Sequence, residues 1–142
     1  MYATFNHENL PRINVTFNNE TLNDTSFQEF LNEWDNCDNK QEDYNFYFDL
    51  TGGLGKPSMK YVFAIAGFIK KKKKASEKFL KYSVIHATNK QTILLLRMVF
   101  NLTKPIAPVY IINNEEIVSD LYCKINNNEE IPKEYKVIKF KP

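Results

Sequence analysis

An acid, two hydroxyls and three glycines fall within ten residues of one another, in Asp49-Leu50-Thr51-Gly52-Gly53-Leu54-Gly55-Lys56-Pro57-Ser58. A carboxylate just before glycines accepts hydrogen bonds from the turn amides that follow it. The same carboxylate, at the end of a strand, could also serve as a general base. Asp49 reads better as the turn acceptor, and Ser58 is the candidate phosphoacceptor. Thr51, Gly52, Gly53 and Lys56 belong to the same loop. The glycines do not cradle a phosphate in the manner of nucleotide-binding loops, because Gly55-Lys56 is followed by proline and the GxGxxG spacing is absent.

Nothing else assembles into a catalytic centre. His7 lies in a polar segment and His86 inside an apolar one, and neither has carboxylates at metal-ligand spacing. Cys37 and Cys123 stand alone, with no CxxC and no neighbouring base. The expectation is a non-enzymatic protein with no metal and no cofactor. Lys70, Lys71, Lys72, Lys73 and Lys74 form an unbroken basic run. Such a run attracts polyanions weakly and without sequence choice. No aromatic residues are interleaved with it to stack on bases. Sequence-specific nucleic-acid binding is therefore not expected, and a solvated helix end is the plainer reading.

The elements that must position these residues follow from periodicity. Ile13, Val15 and Phe17 alternate with polar residues, which predicts a half-buried strand. Tyr2 to Phe5 is expected to pair with it as a hairpin. Ser26 and Glu29 have capping-box spacing, and Phe27, Phe30, Leu31 and Trp34 then make one apolar helical stripe. Tyr44 to Leu50 is almost continuously apolar, as expected of a central strand covered on both faces. Its glycine turn leads into a helix opening at Pro57 and Ser58.

That helix is the most apolar of the chain. Its expected inner face is Met59, Val62, Phe63 and Ala66. The outer face is Lys60, Ala64, Gly67 and Lys71, where small residues would let another backbone approach. Tyr82 to Ala87 is the next strand, and Asn89 caps a helix expected to turn Leu95, Leu96, Val99 and Leu102 inward. Val109 to Ile112 is a further strand, followed by a helix through Ile117 and Leu121. The tail from Asn126 is polar and lysine-rich, with Tyr135 to Phe140 as a candidate edge strand.

With 142 residues, 43% of them hydrophobic, the chain suits one domain with a substantial core. Nineteen basic against seventeen acidic residues leave +2, too little for a global field that captures nucleic acid. The longest apolar run, Tyr61 to Ile69, is about half of the ~20 residues that a membrane span requires. Met1 to Arg12 lacks a signal-peptide core. The expected location is the cytoplasm, and the four Asn-x-Thr sequons are read as chance in an asparagine-rich chain. The abundance of Asn, Lys, Ile, Phe and Tyr suggests an AT-rich coding genome, such as a viral or protist one.

Strands alternating with helices after a hairpin imply an α/β fold. The sheet is expected to be mixed and mainly parallel, with four to five strands and about four helices. This order, with the Asp49-Leu50-Thr51-Gly52 junction, resembles the STAS domains of anti-sigma-factor antagonists and sulfate-transporter tails. In that family a strand ending Asp-Leu-Ser-Gly leads to a helix that opens near a serine. The counterparts here are Ser58, the helix with Gly67 and Lys70, the Leu94-Leu95-Leu96 helix, and Val109 to Ile112 followed by Glu115 and Glu116. The likeness spans roughly residues 1 to 125, with 126 to 142 as a tail. Where the family has Asp-Ser-Ser, this chain has Lys56-Pro57-Ser58.

The resemblance implies a protein-binding module. Its partner would engage Thr51, Gly52, Gly53, Lys56, Ser58, Lys60, Ala64, Gly67 and Lys71. The alternative is a small-ligand or lipid-binding domain, with a pocket at the C-terminal ends of the strands.

Overall fold

The computed structural model describes residues 2–54, 59–74 and 79–142. Lys56, Pro57 and Ser58 lie outside the described residues, as does the expected helix opening there.

One six-stranded sheet runs in strict sequence order: β1 (Ala3–Asn9), β2 (Arg12–Phe17), β3 (Tyr44–Asp49), β4 (Leu80–His86), β5 (Val109–Ile112) and β6 (Ile138–Phe140). The expected α/β fold is present, with one more strand than the upper count. β1 and β2 form the antiparallel hairpin, β2 to β5 are mutually parallel, and β6 returns antiparallel to β5. The tail thus supplies an edge strand of the same sheet.

Four helices connect the strands: α1 (Asp24–Cys37), α2 (Met59–Lys73), α3 (Lys90–Leu102) and α4 (Val118–Asn126). Because the parallel strands advance in one direction, crossovers of the usual right hand all fall on the same side. α1, α2 and α3 accordingly share one core with Ile13, Val15, Phe46, Phe48, Ile85 and Ile111. α4 covers the opposite face mainly over β4 and β5, against Tyr82, Val84, Tyr110 and Ile112, and reaches the edge of β3 where the Tyr122 hydroxyl donates to the Phe46 carbonyl at 3.2 Å. β3 is therefore central but not fully covered, and Tyr47 and Asp49 on its second face stay half-exposed.

Period two explains the strands. Ile13 and Val15 are buried toward the helices, whereas Thr16 is exposed. α1 begins three residues earlier than the expected capping box. Asn23 is the N-cap and accepts from the Ser26 amide, while Ser26 Oγ accepts from the Asn23 amide. Asparagine serves as well as serine at that position, and the reciprocal pair simply moved back one turn. The predicted stripe of Phe27, Phe30, Leu31 and Trp34 is buried. Trp34 meets Phe46 edge-on at 5.6 Å and Phe68 at 5.1 Å between ring centroids, which ties α1 to both β3 and α2.

Candidate functional site

The turn after β3 is built as its sequence suggests. Asp49 Oδ1 accepts from the Thr51 amide at 3.0 Å and from the Thr51 hydroxyl at 2.6 Å, which makes it the turn acceptor. The Gly53 amide closes onto the Leu50 carbonyl at 2.9 Å. Gly53 has φ of +80°, which suits the only residue without a Cβ penalty there. Asn19 Nδ2 donates to the Gly52 carbonyl at 2.8 Å and pins the turn to the segment before α1. Thr51 and Gly52 face solvent, and Leu50, directly after the strand, is the last buried residue before the turn. Lys56 and Ser58 fall outside the described residues, so the phosphoacceptor has no structural account.

α2 is where the sequence reading needs correction. Val62, Ala66 and Ile69 point into the core. Phe63 and Met59, expected beside them, are 57% and 44% exposed. An α-helix turns about 100° per residue, so Phe63 stands roughly a quarter-turn from Val62. Tyr61, Phe68 and Lys72 occupy the opposite flank and meet α1 through Phe27, Trp34 and Asp35. Phe63 and Met59 are thereby directed away from α1, toward the α3 side. The predicted outer residues Lys60, Ala64, Gly67 and Lys71 are all exposed, on the arc next to Phe63. A Cβ placed on Gly67 would meet nothing within 4 Å among the described residues, so none of the described loops crosses there to account for the glycine.

α3 repeats the pattern. Thr92 and Val99 are buried. Leu102, expected inward, is 40% exposed, and Leu94 is 58% exposed. Of the five large apolar side chains most exposed among the described residues, only Leu10 lies outside α2 and α3.

The lysine run divides into two kinds of side chain. Lys72 has 11% of its side chain exposed and reaches Asp35 at 2.8 Å and Asp38 at 2.5 Å. Burial pulls its pKa down, but hydrogen bonds and charge from the two aspartates outweigh that, and the ammonium ends above the ordinary lysine value. Lys70, Lys71 and Lys74 are exposed and have no ion pair among the described residues. At the other end of α2, Lys60 meets Asp24 at 2.7 Å, and Tyr61 donates to the same carboxylate at 2.9 Å. These hydrogen bonds hold Asp24 below the usual carboxylate range. Lys60 and the Thr51–Gly53 turn therefore lean on the same stretch, Asn19 to Asp24, from two sides.

The remaining candidates pack quietly. His86 is buried at the end of β4, with Nδ1 at 3.4 Å from the Tyr47 hydroxyl. Cys37 is buried and its thiol is pushed up to about 12 by desolvation, with the neighbouring Asp38 and Glu33 charges adding to the effect. Among the described residues no three His, Cys, Asp or Glu side chains gather as metal ligands. None of their helices is long and apolar enough to cross a membrane. An apolar void of about 120 Å3 lies between the sheet and the three helices, bordered by Phe48, Val62, Ile65, Ile85 and Val99. It approaches the size of engineered cavities that take up benzene and falls short of the ~300 Å3 at which ligand pockets begin.

Charge is segregated along the chain behind the near-neutral total. Met1 to Asp49 holds ten acids and two basic residues, whereas Leu50 to Asn114 holds twelve basic residues and a single acid, Glu77. α1 is thus acidic, and α2 and α3 contain no acid at all. Comparison of the chain with protein-family models, with curated proteins and with solved structures found no match.

Proposed function

We propose that the protein is a non-catalytic, STAS-like interaction module that binds a protein partner through the outward face of α2. Phe63 carries this reading: a large aromatic ring left 57% exposed on an ordered helix, beside the small residues Ala64 and Gly67. Aromatic side chains set among water-excluding neighbours are frequent anchors of protein interfaces. The Thr51–Gly53 turn and Lys60 flank that face through their shared contact with Asn19 and Asp24. A cytoplasmic setting accords with two free cysteines. The apolar void supports the small-ligand alternative less well, being too small for a lipid chain together with its headgroup.

The test is purification from the native host with Lys60→Glu plus Gly67→Arg. The partner that co-purifies with the wild-type chain should be lost while the fold, followed by circular dichroism, is kept. Undiminished recovery of the same partner would overturn the reading.

A further inference from the structure

We infer that the partner is acidic, and that the docking surface extends across α2 onto α3, engaging an acidic segment with apolar anchors of its own. This rests on the reading of α2 as the docking face and adds both the partner's chemistry and the second helix. Two independent observations carry it. Lys70 and Lys71 on α2, Lys74 just past its end, and Lys90 and Arg97 on α3 are exposed and have no ion pair among the described residues. Neither helix offers an acid that could neutralise them. Among these cations stand Met59, Phe63, Leu94 and Leu102, all exposed. The α2 pair lies on the flank turned away from α1. Cations interspersed with apolar side chains complement a chain in which carboxylates alternate with leucine-like anchors at helical spacing.

The fold also separates this partner from the other polyanions that basic helices attract. An anionic bilayer is laterally unlimited, and α1 lies in the same helical layer with Glu29 exposed and with Asp24 and Asp35 already engaging Lys60 and Lys72, so that α1 offers acids but no spare cation. A membrane pressed onto α2 and α3 would bring those carboxylates against its headgroups, at a repulsive cost. A nucleic acid would pair with the cations but leave the four apolar side chains unused. A protein segment about one helix wide covers α2 and α3 without reaching α1.

The experiment uses the full chain, labelled with 15N, and three probes at about 0.15 M salt. They are a synthetic peptide of about 18 residues with leucines at i, i+3, i+4 and i+7 among glutamates, equimolar phosphatidylserine/phosphatidylcholine vesicles, and single-stranded polyuridine. The peptide should move amide resonances of α2 and α3 and leave those of α1 in place. Phe63→Asp and Leu94→Asp should each weaken its binding about ten-fold or more. Phe63→Ser and Leu94→Ser serve where an aspartate variant does not fold. Shifts on α2 with none on α3, or full affinity in the Leu94 variants, would overturn this inference and leave the α2 reading standing. Tighter binding of vesicles or polyuridine than of peptide would overturn it as well. So would absence of peptide binding, with the native purification still deciding the α2 reading separately.

Discussion

α1 and α2 lie side by side on the same face of one sheet, yet they use their surfaces in opposite ways. α1 spends its apolar residues inward: Phe27, Phe30, Leu31 and Trp34 are all buried, and none of its large apolar side chains is left in solvent. Its charges serve the fold, with Asp24 holding the first turn of α2, and Asp35 and Asp38 holding Lys72. α2 buries Val62, Ala66 and Ile69 and still carries Phe63 outside. An exposed aromatic ring adds little to folding, whereas each buried large side chain adds about 1.5–3 kcal/mol. The contrast teaches that hydrophobicity on α1 is explained by the core alone, and that on α2 it is not.

The largest expected effect falls on the inner surface. Trp34→Ala removes the ring that joins α1, β3 and α2, and should cost about 3–5 kcal/mol in urea denaturation. Phe63→Ser, on the same measurement, should stay within about 0.5 kcal/mol of wild type. Equal losses in the two variants would erase the distinction between the helices.

Lys72 sharpens the comparison at the seam. Lys72→Met should cost about 1 kcal/mol, because Asp35 is largely exposed and solvent screens much of the pairing. Lys71→Met should have no measurable effect on stability. The pH dependence has a fixed sign. The folded-state pKa of Lys72 is raised above the ordinary 10.5, so its contribution is complete below that value and fades as pH rises through the higher folded-state value. On the alkaline side, denaturation midpoints of wild type and Lys72→Met should therefore converge only at strongly alkaline pH.

Smaller effects belong to the local backbone. Gly53→Ala forces a Cβ onto a φ of +80° and should cost about 1 kcal/mol. Asn89→Ala removes the side chain that accepts from the Gln91 amide at 2.7 Å, and should cost about 0.5–1 kcal/mol. Both are read by thermal unfolding.

The sheet was legible because period-two and continuous apolar runs report strands directly, and Asp49 and Asn89 do what their residue types do elsewhere. The orientation of Phe63 was not, because burial is a one-way rule: core positions are apolar, but apolar positions need not be core. Its place on the helix gave a hint, since it lies between the arcs of Val62 and Lys60. The five lysines look alike in sequence. Only the packing of Tyr61 and Phe68 against α1 decides that Lys72, one turn beyond Phe68, is the one turned toward Asp35 and Asp38. Half-coverage of β3 was hidden too, because α4 is short and its reach depends on where β5 sits.

The most direct test is thiol labelling on a Cys123→Ser background, since Cys123 is the exposed native cysteine. Phe63→Cys and Val62→Cys, adjacent on α2, are exposed in turn to a maleimide under native conditions. Phe63→Cys should react at nearly the rate of an unfolded thiol and Val62→Cys about 100-fold more slowly, waiting on local opening. Comparable protection of both would mean that α2 hides Phe63 after all, and would contradict the account.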